Sequence, residues 1–315
     1  MNSNTTVNRQ SPILVTGAHR TGTTWVGKML AAGGQAAYIS EPFNVLHRPG
    51  VLRAPVQHWY TYITAENEAT YLPALCETIH FRYHALAEIQ SLRSMKDALR
   101  MARDWSIFTK GSLFHQRALL KDPFAAFSAP WLAEKLGCQV IITVRHPAAF
   151  ASSLKRLNWP FDFSHLLEQP LLMQDWLEPL RADMEKALLN PQDILAQASL
   201  LWRVVYQVLA EYRRKSPNFL VVRHEDLSLS PLSRYKELYE SVGLRFTPGA
   251  QRSILKSSSL DNPKELSRRS VHAVRLDSQT NLQNWKRRLD RGEISRVREI
   301  TEEVAALYYQ EQDWE

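Results

Sequence analysis

The chain has 315 residues, 44% of them hydrophobic and 23% charged, with a formal net charge of +7. This is ordinary globular usage with length for one large α/β domain or two small ones, and it excludes low-complexity and repeat architectures. The two cysteines, Cys76 and Cys138, are too few for a disulfide framework or a metal knuckle, and read as buried thiols of a reducing compartment.

The start, Met1 to Thr6, is polar and lacks the charged-then-apolar order of a signal peptide. No uninterrupted apolar run approaches the length of a bilayer span. The expected location is therefore cytoplasmic, and residues 1–11 read as a disordered leader. The basic excess favours an anionic ligand, without separating a nucleotide from nucleic acid, a membrane or a sulfated sugar.

From Pro12 to Lys28 the sequence reads as a strand (Ile13-Leu14-Val15), a loop bounded by Gly17 and Gly22, and a helix that stops at Gly33-Gly34. Ala37 to Ile39 is a second short strand delivering Ser40-Glu41-Pro42. The stretch 43–115 is irregular and then helical, rich in aromatics, with no linker isolating it; it reads as a helical insertion on the acceptor side. Arg117 to Leu120 is strand-like and leads into Lys121-Asp122-Pro123. Ser128 is placed to cap a helix reaching Leu136, with Gly137 as its stop. Gln139 to Val144 is the clearest strand and runs into Arg145-His146-Pro147, where the proline suits the first turn of a helix through Leu157.

A loop rich in tryptophan and proline spans 158–170. Asn190-Pro191 is expected to open a long helix to Arg214, and Asn218 to Val222 forms another buried strand. Ser230-Pro231 precedes a helix ended by Gly243, the stretch 256–292 is polar and basic, and the last helix covers 293–310. Alternating strands and helices predict an α/β fold: a doubly wound, mostly parallel sheet with helices on both faces, in one domain over 12–315. Ligands of such sheets sit beyond the carboxyl ends of the strands, where Arg20, Glu41, Lys121 and Arg145 are all expected.

The spacing Gly17-x-x-x-x-Gly22 is half of the P-loop signature Gly-x-x-x-x-Gly-Lys-Ser/Thr. Thr23 stands where the phosphate-binding lysine belongs, and the basic residue lies inside the loop at Arg20, whose planar guanidinium suits oxyanion oxygens. With the helix N-terminus behind it, the loop is an anion site. A strand-terminal Arg145 and Ser153 eight residues later could pinch one phosphate. A magnesium-dependent nucleotide kinase or NTPase is the alternative; it needs the missing lysine and an Asp at a strand end, whereas this strand ends in arginine. A non-catalytic nucleotide-binding protein is the other. A nucleic-acid partner is not expected, since no module of that kind is visible.

Arg20-Thr21-Gly22-Thr23-Thr24-Trp25 resembles the 5′-phosphosulfate loop of sulfotransferases that use 3′-phosphoadenosine 5′-phosphosulfate, and its Arg-Thr-Gly form is closer to carbohydrate-type and bacterial members. The resemblance implies that the loop's backbone and hydroxyls hold the 5′ end of the donor, with Trp25 stacking on adenine. Val144 to Ser153 resembles the family's 3′-phosphate site, with Arg145 and Ser153 at the matching positions. Glu41 resembles the general base that several members carry after this strand, with His47 and His115 as fallback bases. Lys121, in Leu120-Lys121-Asp122-Pro123, resembles a lysine that contacts the transferring group. Lys121 and Arg20 would then stabilise the leaving 5′-phosphate. Val222 to Leu227 resembles a stretch that members carry after a late strand, and its charges read as structural, capping the turn into Ser230-Pro231; Ser267 to Arg275 lies where members often carry a loop over the 3′-phosphate, but reads rather as a solvated basic loop. The implied activity is sulfuryl transfer to an acceptor hydroxyl (carbohydrate, lipid or small molecule), with no metal.

Overall fold

Short apolar runs bounded by turn residues cannot bury themselves singly, and here they assemble into one sheet. The computed structural model describes residues 11–46, 48–265 and 274–315. Strands β1 (Ile13–Thr16), β2 (Ala36–Ser40), β3 (Arg117–Lys121), β4 (Gln139–Val144) and β5 (Leu220–Arg223) lie in the order β2-β3-β1-β4-β5. Every pairing is parallel, with Leu14 opposite Leu120 on one side and Val140 on the other. Helix α1 (Thr23–Ala31) joins β1 to β2. Helices α2 (Glu68–Ile79), α3 (Ala85–Ser91) and α4 (Met95–Leu113) join β2 to β3. Helix α5 (Ala129–Leu136) leads to β4, and α6 (Pro147–Leu157) leaves it.

Side chains alternate along a strand, so a sheet covered on both faces feeds two cores. Leu14, Leu120, Val140 and Ile142 enter the larger one, with α6, the long helix Ile194–Lys215 and the helix Arg291–Ala305. Ile13, Val15, Leu119 and Ile141 enter the smaller one, with α1 and the helices Pro231–Ser241 and Pro248–Ser258. This is the doubly wound α/β fold expected, with the insertion helical.

Several local expectations are corrected. Ser128 sits at the start of α5 but does not cap it; its hydroxyl donates to Thr61 O (2.6 Å) and accepts from Ile63 N (3.0 Å), tying the insertion to the sheet. The long helix begins at Ile194 rather than at Asn190-Pro191, because the Asp193 carboxylate accepts from Ala196 N and caps it there. Ser230 precedes its helix without a side-chain cap bond. The last long helix starts at Arg291, where Asp290 and Glu293 form a reciprocal capping box, and ends at Ala305. Cys138 is buried, Cys76 only half-buried, and both are free thiols. Residues 1–10 of the expected leader, His47 and most of the basic run Ser267 to Arg275 lie outside the described residues. Among the described residues no helix is long and apolar enough to cross a membrane.

Candidate active site

The loop after β1 owes its shape to its glycines. Gly17 has φ +133°, and a Cβ there would lie 2.3 Å from Thr143 O at the end of β4. Gly22 has φ +98°, and its Cβ would meet His224 Nδ1 at 2.7 Å. Only a residue without a side chain lets the loop lie this close to β4 and to the segment after β5. Gly22 precedes α1 without a side-chain cap, so the first-turn N–H groups remain for an anion. Thr21 is fully buried; its hydroxyl donates to Ala18 O (2.6 Å) and meets Thr143 Oγ1 (2.9 Å). That hydroxyl therefore braces the loop from behind, whereas Thr23 and Thr24 line the cavity in front.

The cavity, about 810 Å³, opens over the carboxyl ends of β1 to β4 and is lined by Arg20, Trp25, Glu41, Lys121, Arg145 and His224 among others. This volume suits a nucleotide-sized ligand with part of a second molecule. A smaller hollow of about 490 Å³ lies far along the chain at Leu167 to Arg181, where Glu178 and Arg181 pair with each other.

The two motifs read as donor sites meet. Arg145 is buried, with 9% of its surface exposed, and one terminal nitrogen donates to Arg20 O (3.3 Å). Arg20 Nε donates to Ser153 Oγ (3.4 Å), so Ser153 lies beneath Arg20 and not in the cavity wall. Burial, then Arg145 and Arg156, bring the Arg20 guanidinium down to about 10. Arg145 is also lowered, by burial above all; Glu225 opposes this, while Arg288 and Arg156 add to it. Arg145 Nε has no hydrogen-bond partner, and the residue makes no ion pair among the described residues. A desolvated cation of this kind favours an anion that completes its bonding.

Trp25 and His224 form the adjoining wall. The Trp25 indole donates to Ser257 Oγ (2.8 Å) and meets His224 and Tyr235 edge-on, with centroids 5.6 and 5.4 Å away. The charges of Val222 to Leu227 do not cap the turn into Ser230-Pro231 as expected; Arg223 bonds to Asp313 (2.9 Å) and Glu225 accepts from His146 N and Tyr309 OH, tying the segment to other parts of the chain. The sequence reading missed His224, whose ring nitrogens both lack a partner and which burial, then Arg145, hold down to about 3. The available signal was its position, directly after a strand at the ligand edge. His146, the next residue after Arg145, stacks on Trp285 (5.0 Å, 14°).

Opposite stands an ion pair. Lys121, buried at the end of β3, donates to Glu41 Oε1, while Asn44 donates to Oε2 (2.9 Å). Burial pushes the Glu41 carboxyl up, but the Lys121 charge, the hydrogen bonds from Lys121 and Asn44, and Arg48 leave it below its ordinary value. Glu41 has φ 51° and Arg20 φ 67°, both in the left-handed region that side chains disfavour. Glu41 is held there by its own N–H donating to Lys121 O (2.8 Å). Both residues line the cavity.

His19, one residue before Arg20, also lines the cavity and was not singled out from the sequence. Its backbone N–H donates to Tyr60 OH (3.1 Å), and its Nδ1 lies 2.8 Å from the same oxygen. Tyr60 is fully buried, so its hydroxyl proton needs an acceptor, and Nδ1 is the one within reach. The proton of the neutral ring therefore sits on Nε2. Burial, then Arg20, push this imidazole down to about 4, against the raising effect of Glu41, so it is neutral at physiological pH.

An Asp does follow a strand in this sheet, but at β3 rather than β4. Both Asp122 oxygens accept backbone N–H groups, from Phe43 (2.6 Å) and Phe124 (2.9 Å), and the side chain does not line the cavity. It fastens the chain after β2 to the end of β3 and so sets Glu41 against Lys121. His115, a fallback base, is exposed before β3, at the opposite edge of the sheet. The insertion and the 158–170 loop supply the outer walls: Arg48, Trp59, Arg100 and Arg103 from the first, Trp159 and Phe161 from the second.

The family profile described as "Sulfotransferase domain" matches residues 10–308. A comparison with curated proteins gives no match. Among solved structures, the chain is similar to the sulfotransferase domain from the curacin biosynthetic pathway, at 17% identity, 95% coverage of this chain and 98% of that one, with a TM-score of 0.47. It is similar to sulfotransferase STF9 from Mycobacterium avium at 14% identity, 96% and 78% coverage, with a TM-score of 0.46. For the sulfotransferase domain of the Synechococcus PCC 7002 olefin synthase the values are 17%, 95% and 95%, and 0.42. With a profile match running almost end to end over this parallel sheet, the chain belongs to the sulfotransferase family.

Proposed function

We propose that the protein moves the sulfuryl group of 3′-phosphoadenosine 5′-phosphosulfate to the hydroxyl of an acceptor, with Glu41 as base. The observation that carries this reading is the meeting of the 17–24 loop with Arg145 at one cavity that also holds the Lys121–Glu41 pair, with Ser153 beneath Arg20. The residues fit the donor's two anionic ends. The unpartnered Arg145 Nε and the neighbouring His224 suit a 3′-phosphate, and the glycine-shaped loop with the α1 N-terminus suits the 5′-phosphosulfate.

The acceptor oxygen attacks sulfur in line. A new O–S bond forms while the bond from sulfur to the bridging oxygen breaks, leaving adenosine 3′,5′-bisphosphate. The acceptor proton passes to Glu41, which Lys121 keeps ionised and therefore able to take it. Negative charge grows on the departing 5′-phosphate, and Lys121 and Arg20 answer it; the Lys121 ammonium has three N–H groups, so it can serve the leaving oxygen while staying beside Glu41. The neutral His19, with its proton on Nε2, is a further donor on the same wall. Positioning and fixed charge supply most of the acceleration, as in phosphoryl transfer.

Calorimetric titration with adenosine 3′,5′-bisphosphate, and separately with magnesium-ATP, tests the reading. Micromolar binding of the bisphosphate, weakened by Arg145→Ala, supports it. Binding of magnesium-ATP without binding of the bisphosphate overturns it in favour of phosphoryl transfer.

A further inference from the structure

Helix α4 is apolar on its outer face as well as its inner one. The inner face buries Asp104, Phe108 and Gly111. At about 100° per residue, the opposite face carries Met95, Leu99, Ala102 and Leu113. These side chains stand in solvent: Met95 is 77% exposed, Leu99 69% and Leu113 68%. Helix α3, packed against α4, adds Leu86 at 79% and Ile89, one turn apart. Of the sixteen large apolar side chains exposed among the described residues, seven fall between Leu86 and Phe114, so this is a patch and not the scatter of an ordinary surface.

The charge around the patch has one sign. Lys96, Arg103 and Lys110 recur every seven residues and so line one flank of the outer stripe, while the exposed Trp105 stands on the other flank. Arg93, Lys96 and Lys110 are exposed and make no ion pair among the described residues. The carboxylates of these helices are engaged elsewhere. Glu88 is buried and accepts from Gly50 N (2.7 Å), Asp104 is buried between Arg48 and Arg103, and Asp97 is half-buried against Arg100 (3.4 Å).

An apolar stripe bordered by cations is covered best by a partner that offers apolar surface and negative charge together. A second copy of this chain does not, because an isologous contact would set the basic face against itself. An anionic bilayer does. A helix lying flat on it puts its apolar side chains below the headgroups, its lysines among them and its tryptophan at the boundary.

We infer that the outer face of α3 and α4 docks flat on an anionic lipid surface, with Leu86, Met95 and Leu99 below the headgroups and Arg93, Lys96 and Lys110 among them. Arg100 and Arg103 of the same helix line the cavity, as does the exposed Leu46, so docking brings the outer wall of the cavity to the lipid surface. The docking does not depend on which donor the cavity takes.

The test is flotation of the full chain with vesicles of phosphatidylcholine alone and of phosphatidylcholine with about a quarter phosphatidylserine. The parent is expected to float with the anionic vesicles at low salt and to be released as salt rises. Met95→Ser/Leu99→Ser removes apolar surface without changing charge, and should weaken that binding roughly tenfold or more. Lys96→Gln/Lys110→Gln should weaken it by a similar factor. All four residues are exposed, so both variants should melt with the parent, which reports that they are folded. Failure of the parent to float with anionic vesicles, equal binding to the two vesicle types, or binding that survives Met95→Ser/Leu99→Ser overturns the inference. So does a parent that sediments as a dimer and that Met95→Ser/Leu99→Ser converts to a monomer, because a second copy would then cover the face.

Discussion

Replacing Arg145 by methionine should move stability and ligand response in opposite directions. In the free protein the guanidinium is buried, lacks a partner at Nε and is depressed by burial and by Arg288 and Arg156. Removing such a charge for an apolar group of similar length is worth about 1–3 kcal/mol in stability. The lost bond to Arg20 O returns about 0.5–1.5 kcal/mol of that, so a net gain of about 1 kcal/mol remains. For a domain of this size that is a rise of about 2–4 °C in melting temperature. Adenosine 3′,5′-bisphosphate at a thousandfold over its Kd should stabilise the parent by about 4 kcal/mol. Losing one or two charge-assisted bonds, at about 1.5–3 kcal/mol each, lowers affinity roughly a hundredfold and removes most of that shift. Scanning calorimetry with and without the bisphosphate reads both effects. A variant that melts below the parent yet keeps the full ligand shift would refute the reasoning, because Arg145 would then be a structural partner of Glu225 and not a ligand site.

Three other outcomes follow from the same geometry. Glu41→Gln removes the proton acceptor but keeps the size and the Asn44 contact, so turnover should fall by about 10²–10⁴-fold while bisphosphate affinity in calorimetry stays within a few-fold; unchanged turnover would remove Glu41 from the base role. Gly17→Ala places a Cβ 2.3 Å from Thr143 O at a positive φ, and should abolish bisphosphate binding or lower the melting temperature by several degrees; a variant matching the parent in both contradicts the loop geometry. Acid should destabilise the fold. His19 (about 4), His146 and His224 (both about 3) titrate well below the ordinary 6.5, so the unfolded chain takes up protons first as pH falls and each histidine costs about 2 kcal/mol by pH 5. Asp122, raised to about 7 by burial and then by Glu41, works the other way: its proton is held by the fold below pH 7, which returns about 2 kcal/mol over the same interval. The net loss between pH 7 and 5, about 4 kcal/mol, is a large part of a typical stability, and urea titrations at the two pH values would expose a flat profile if it is absent.

Strands β1, β3 and β4 were legible as apolar runs, because burial on both faces leaves little choice of residue; β5 was expected to be buried too, but it lies at the sheet edge and its four residues are only half-buried. The loop after β1 was legible for a local reason as well: Gly17 and Gly22 shape the backbone of one short segment, and both take the positive φ that their spacing suggested. Helix starts were less so. At Ser128 a residue of capping type was present, but its hydroxyl is taken by Thr61, which arrives from elsewhere in the chain; at Asn190 the start moved because Asp193, three residues on, takes the cap.

The amino-acid sequence by itself determined the parallel α/β order, the anion loop and the edge of the sheet where Arg20, Glu41, Lys121 and Arg145 would gather, since these follow from residue type, period and short spacing. Only the tertiary structure decided that Lys121 pairs with Glu41, that Thr21 faces inward, that Asp122 fastens backbone instead of facing the cavity, and that His19 and His224 stand on its walls. Pairings of this kind depend on strand register and on which helix packs over which strand, and the distance between two side chains across a sheet is not encoded in either local stretch.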